Sequence, residues 1–389
     1  MNAASGLRPL SAGFHANMRD KLRQTASDNG LDGHLMLRPS NIAYACGFFY
    51  AANERPVGLW LPVEGDPILF IPELERENAE SATALAVRFY TEFPGETHPL
   101  LWMLDQIGLQ SLSLDQLDAL LLPAVRDRVR RLDLRDFAME QRYIKTPEEI
   151  ALTRAAAGFA DLFLSRLSSA GGDIIAQGGT EVDLLNDAMA FARGALMTRH
   201  RVTFAGTPMG ITATVHSGPR AALPHGAVLE RRPQPGETLI AGIGASLGGY
   251  HAESGATFVI GHMKGEQRRI MQAMQDCDAA AVAALVPAAR CDLVNDAAQD
   301  VLRAADLADA IRHRIGHGMG LDGHEAPWLA PGDKTRIAPG MVFSNEPGVY
   351  RPGLDGYRTI NTMIVTPNGV EIPSRFQAET PIDARIIAL

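Results

Sequence analysis

Four short stretches of this 389-residue chain gather histidines and acids among glycines. They are Ser217-Gly218-Pro219-Arg220-Ala221-Ala222-Leu223-Pro224-His225-Gly226; Gly249-Tyr250-His251-Ala252-Glu253-Ser254-Gly255-Ala256-Thr257-Phe258; Gly316-His317-Gly318-Met319-Gly320-Leu321-Asp322-Gly323-His324-Glu325; and Ser344-Asn345-Glu346-Pro347-Gly348-Val349-Tyr350. If they face one cavity, Glu253 and Glu346 lie beside His225, His317 and His324. Carboxylates so placed attract a cation, and a planar N–C–N cation can be held by two forks at once. Histidine titrates near neutrality, so it can take a proton from water or give one to a leaving nitrogen.

Positioning these groups falls to elements that the sequence punctuates clearly. Thr146-Pro147-Glu148-Glu149 combines a capping hydroxyl, a proline suited to the first helical position and a glutamate that completes a capping box. A domain boundary is placed just before it, giving domains 1–141 and 142–389. In the first, residues 17–29 read as an amphipathic helix, His34–Leu37 as a strand, and Leu59–Pro62 with Ile68–Ile71 as a hairpin, so an α/β domain is expected. In the second, Thr180-Glu181-Val182-Asp183 starts another helix. Helices over about 266–286 and after Cys291 alternate in blocks with glycine-rich β segments at 238–261, 313–321 and 341–367. That pattern predicts α+β.

Bulk properties narrow the partners. The length favours two cores over one. Hydrophobic residues at 46% and charged residues at 21% suit a soluble globular protein. A net charge of −9 without a basic block argues against nucleic acid. No apolar run of about 18 residues is present to span a membrane, and the N-terminus lacks the pattern of a secretory signal. Cys46, Cys277 and Cys291 stand apart from one another, which predicts a reducing, cytoplasmic setting.

Taken in order, the four stretches resemble the pita-bread superfamily of Xaa-Pro aminopeptidases, prolidases, methionine aminopeptidases and creatinase, over roughly residues 142–389. The resemblance implies a pita-bread C-terminal domain and a smaller α/β N-terminal one. In the peptidases Asp, Asp, His, Glu and Glu hold two divalent metals; here those positions read Gly242, Glu253, His317, Glu346 and Ile360. The last is aligned through Gly356-Tyr357-Arg358-Thr359-Ile360-Asn361-Thr362, where a one-residue shift would bring Asn361 instead. Neither Gly242 nor Ile360 can ligate through its side chain, so a dinuclear centre is not expected.

Creatinase, a metal-free member, is similar in having a catalytic histidine at the position of His225 and a substrate-binding glutamate at that of Glu346. Metal-free ectoine hydrolases offer a second comparison. Tyr50-Ala51-Ala52-Asn53-Glu54-Arg55-Pro56 resembles the creatinase segment whose arginine reaches the neighbouring subunit and holds the substrate carboxylate, a role assigned here to Arg55. Arg358 and Tyr357 are further substrate-binding candidates. The chain is therefore expected to be a cytoplasmic homodimer that hydrolyses a non-peptide C–N bond of a small carboxylate-bearing amidine, guanidine or amide. His225, Glu253, Glu346, His317 and His324 would be catalytic, with no cofactor and no metal. One alternative is an Xaa-Pro dipeptidase or aminopeptidase with a single ion on Glu253, His317 and Glu346. The other is a catalytically inactive binding protein of the same fold.

Overall fold

The computed structural model describes residues 6–91 and 95–389. They separate into two compact units, Pro9–Arg142 and Tyr143–Leu389, the latter joined by the residues up to Arg8.

The first unit is built on a six-stranded sheet. Its order is Ala86–Tyr90, Ile68–Pro72, Gly58–Pro62, Gly33–Met36, Ser111–Leu114, Arg131–Asp133. Gly58–Pro62 runs antiparallel to both neighbours, and the remaining pairs are parallel. Both faces are covered, with Leu22, Ile42, Leu59 and Leu69 in one core and Leu35, Trp60, Phe70 and Met103 in the other. Leu59 and Trp60 fall into different cores because successive strand residues point to opposite faces.

The second unit is α+β. Its main sheet runs Glu325–Leu329, Gly316–Gly318, Val342–Asn345, Ile360–Thr366, Tyr250–Ile260, Thr238–Leu247, Met209–Ser217, with these neighbours antiparallel; Gly369–Glu371 pairs antiparallel beside Ile360–Thr366, and Ile386–Ile387 pairs parallel beside Tyr250–Ile260. Helices Pro147–Ala176, Glu181–His200, Gly265–Ala284 and Cys291–Ala304 accompany it. Thr146 caps the first of these as the sequence predicts: its hydroxyl accepts from Glu149 N while the Glu149 carboxylate accepts from Thr146 N. The other Glu149 oxygen takes the Tyr250 hydroxyl at 2.7 Å, tying this helix start to the strand that carries Glu253. Thr180 and Asp183 form a second capping box.

Polar anchors fix which face of the sheet the helices cover. Asp161, on helix Pro147–Ala176, accepts hydrogen bonds from Ser254 and Ser374. Asp278, on helix Gly265–Ala284, accepts from Asn345 at 2.6 Å and Asn361 at 2.8 Å. Ser254, Asn345 and Asn361 therefore point to the helix side. Their neighbours Glu253, Ser344 and Thr362 point to the other side, because strand side chains alternate. Gly316 lets two strands close up beside His317: a Cβ there would collide with the Ser344 carbonyl oxygen.

Candidate active site

The face away from the helices carries a cross-strand row. His317 stands opposite Ser344, and Ser344 opposite Thr362. The register of Asn361 with Ser254 then sets Thr362 beside Glu253. The row is stitched by hydrogen bonds. Ser344 Oγ donates to Glu253 Oε2 at 2.7 Å, Glu253 N donates to Thr362 Oγ1, and Thr362 Oγ1 donates to Glu253 O. Neighbouring strands thus hold one carboxylate in place.

His317 is fully buried. Its Nδ1 lies 3.0 Å from the Gly318 carbonyl, which can only accept, so Nδ1 carries the proton and Nε2 presents a bare lone pair. Nε2 has no hydrogen-bond partner. It points instead at Glu346 Oε1, 3.4 Å away, and Glu253 Oε2, 3.6 Å away. Burial lowers the His317 pKa to about 4 against the opposing pull of Glu346, so the ring is neutral at pH 7. A lone pair facing two carboxylates is repulsive unless a cation lies between them. His324 stacks on His317, with ring centroids 3.8 Å apart, and brings its Nε2 to 3.8 Å from Glu253 Oε1. Ligand atoms of Glu253, His317 and His324 converge within 4.8 Å of one another. One divalent ion fits this donor set, since three N/O ligands with open positions suit a catalytic metal. The triad contains His324 where the sequence favours Glu346, which approaches His317 from beside it.

A second ion does not fit. Gly242 and Ile360 share the face of Glu253: Gly242 pairs with Gly255, two residues beyond Glu253, and Ile360 pairs with Gly255 from the other side. The Ile360 side chain covers both glycines, its Cδ1 lying 2.7 Å from a Cβ built on Gly255 and 3.3 Å from one built on Gly242. The Arg358 guanidinium leans over the same place and would collide with that Gly242 Cβ. An aliphatic plug and a fixed positive charge thus occupy the half where further carboxylates would be needed. Asn361 is no substitute ligand, because it turns to the helix side and holds Asp278.

Other expected site residues are placed elsewhere. His225 is exposed on a turn and makes no hydrogen bond or ion pair among the described residues. No hydrogen bond or ion pair ties it to the row of Glu253 and His317, and the neighbouring His216 takes the Gly226 carbonyl. Tyr357 does not face the row. It follows alternation to the face opposite Arg358, is buried in the core, and donates its hydroxyl to Asp355. His251 is structural, with both its backbone N and Nδ1 on the Gly320 carbonyl. Arg55 lies in the first unit, where it pairs with Glu54 and lines a cavity of about 400 Å³ with Tyr50 and His98. Sequence reasoning misses Ser344 and Thr362. Ser344 is legible nonetheless, since it sits two residues from Glu346 and therefore on the same strand face.

The metallopeptidase family M24 pattern matches residues 151–367, and the Creatinase/Prolidase N-terminal domain matches residues 18–145. The chain belongs to metallopeptidase family M24. A probable dipeptidase PepE of Mycobacterium tuberculosis is 29% identical over 372 residues, spanning 94% of this chain and 95% of the relative. An Xaa-Pro dipeptidase of Pyrococcus furiosus is 27% identical, spanning 92% and 98%. The crystal structure of dipeptidase PepE from Mycobacterium ulcerans superposes with a TM-score of 0.84 at 26% identity, covering 98% of this chain and all of that one.

These findings confirm the pita-bread superfamily and its α+β fold. They overturn the expectation of a metal-independent, creatinase-like hydrolase of a non-peptide C–N bond, because the family is one of metallopeptidases and its full-length relatives here are named as dipeptidases. Gly242 and Ile360 offer no ligand atom, while His317 Nε2 remains buried without a hydrogen-bond partner.

Proposed function

We propose that this chain is a dipeptidase that works with one divalent ion held by Glu253, His317 and His324. The observation that carries this is the buried, unpartnered Nε2 of His317, directed at two carboxylates. Membership of the M24 family and the dipeptidase names of full-length relatives support it. When bound, the ion supplies positive charge to polarise the scissile carbonyl.

The protein's own groups do the rest. The Gly318 carbonyl fixes the His317 tautomer, as outer partners of ligating histidines do. Ser344 occupies Glu253 Oε2 and orients the carboxylate, leaving Oε1 toward His324. Glu346, outside the tight triad, provides negative charge for the substrate's terminal ammonium. His324 is half exposed at the edge of the row, where its Nε2 faces Glu253 Oε1 and completes the ligand set.

The experiment is metal analysis joined to assay. Protein stripped with EDTA is expected to lose dipeptide hydrolysis and to recover it with one equivalent of manganese, cobalt or zinc. Full activity in metal-free protein, or a requirement for two tightly bound equivalents, refutes the proposal. Among the described residues no helix is long and apolar enough to cross a membrane. All three cysteines are buried and unpaired, which supports a reducing compartment, so a cytoplasmic protein is proposed. Cell fractionation with periplasmic markers tests that location. The homodimer rests on the creatinase-like segment at Arg55, and sedimentation velocity showing only monomer would dismiss it.

A further inference from the structure

On the helix side of the sheet, behind the row of Glu253 and His317, lies a cavity of about 140 Å³. Helix Gly265–Ala284, the start of strand Ile360–Thr366 and the C-terminal stretch 377–385 line it. Gln275 and Ala378 stand exposed at its rim, so it opens to solvent. One water needs roughly 10–15 Å³ of such space, so a small organic molecule fits.

The polar groups of this cavity form two poles that do not touch. The first is Asp278, whose carboxylate takes the Asn345 amide at 2.6 Å and the Asn361 amide at 2.8 Å. A carboxylate only accepts, so each asparagine spends its Nδ2 there. Asn361, 2% exposed and itself lining the cavity, is left with a buried Oδ1 that has no partner. This pole offers acceptors and negative charge. The second is Arg385. Its Nε donates to the Thr380 carbonyl and its Nη2 to Gln377, which leaves Nη1 without a partner among the described residues. Burial raises the Asp278 carboxyl and lowers the Arg385 guanidinium from their ordinary pKa values, against the weaker attraction each exerts on the other. Burying a charge is costly unless it is paired, and here two opposite charges face one space with a gap between them.

We infer that this cavity is a binding site for a free α-amino acid with a small apolar side chain. The ammonium is held by Asp278 and the Asn361 Oδ1, and the carboxylate by the Arg385 guanidinium, with charge-assisted hydrogen bonds at both ends. Met271, Met274 and Ile382 supply an apolar wall, and methionine adapts to side chains of differing shape. A simple cation leaves Arg385 unmatched and a simple anion leaves Asp278 unmatched; a zwitterion answers both. The site is separate from the metal face, because Asn361 points to the helices while Glu253, Ser344 and Thr362 point the other way. It goes beyond the dipeptidase reading and does not depend on it.

Calorimetric titration of EDTA-treated protein tests the site with L-alanine, with ethylamine, which lacks the carboxylate, and with propionate, which lacks the ammonium. Wild type is expected to bind L-alanine saturably and each analogue about tenfold or more weakly, the worth of one charged hydrogen-bonded partner. Asp278→Asn and Arg385→Met should each weaken L-alanine binding by a similar factor. Ala378→Trp, at an exposed rim position, blocks the mouth without entering the core and should do the same in a protein whose fold is unchanged. His317→Ala, on the opposite face, should bind L-alanine as wild type does. No saturable binding to wild type, equal affinity for either analogue, or undiminished binding in folded Ala378→Trp overturns the proposal. Loss of binding in His317→Ala places the amino acid on the metal face and overturns it too. A chain that binds L-alanine in the expected pattern and cleaves no dipeptide keeps this site and loses the dipeptidase proposal.

Discussion

His317→Ala is expected to abolish binding of a divalent ion and to lower kcat/KM for dipeptides by about a thousandfold, roughly 4 kcal/mol at about 1.4 kcal/mol per decade. His317 is the buried member of the triad and the one whose lone pair is committed to the site by its neighbour's carbonyl. Its removal leaves Glu253 held by Ser344, and His324 without the ring on which it stacks. Glu346 lies 3.4 Å from His317 Nε2 but outside the converging triad, Asn345 and Asn361 face the helices, and Arg358 is a cation. The measurement is cobalt titration followed by visible absorption, alongside the assay. Metal affinity within a few-fold of wild type in the folded variant would refute the assignment. His324→Ala serves as the graded comparison. That ring is half exposed and sits at the edge of the row, so a smaller loss is expected.

Much of this site is legible in the sequence because strand chemistry is local. Thr146 and Glu149 announce their capping box through residue type and spacing alone, and the helix begins there. Glu253, His317, His324 and Glu346 stand out because their motifs lie in order, and these side chains do meet. What the motifs lack is direction. His225 lies in a glycine- and proline-flanked turn, and a motif does not state which way a turn projects its side chain. Tyr357 and Arg358 are adjacent, so the period of two already excludes one of them from the cavity. The absence of ligands at Gly242 and Ile360 is plain from residue type, but its consequence is not. Whether one ion survives depends on the His317 tautomer, and that is set by a carbonyl contact visible only in three dimensions. His324 as a member of the triad is equally hidden, because its loop is anchored by a residue 180 positions away in the chain.

That anchor is Lys145, and Lys145→Met is expected to lower unfolding free energy by about 3–5 kcal/mol, the cost of stranding one partner of a buried ion pair. Lys145 Nζ meets Glu325 Oε1 at 2.7 Å, with side chains only 2% and 0% exposed. Glu325 Oε2 accepts from Asp322 N, so the same carboxylate shapes the loop that carries His324. Packing there is close: a Cβ on Gly320 would lie 2.6 Å from Glu325 Oε1 and 2.9 Å from Lys145 Cε. Methionine keeps the length of lysine but leaves Glu325 buried without its cation. Urea unfolding measures the effect, and a loss below about 1 kcal/mol would show that the pair is not a buried anchor. The double variant Lys145→Met/Glu325→Gln removes the stranded charge and should recover part of the loss. It should not recover metal affinity, because the neutral amide then at position 325 accepts from the Asp322 N–H without a full charge. A drop of about 10–100-fold in affinity is expected there, as for other supporting partners of metal ligands. Stability restored with affinity still low would separate holding the fold from holding His324 in place.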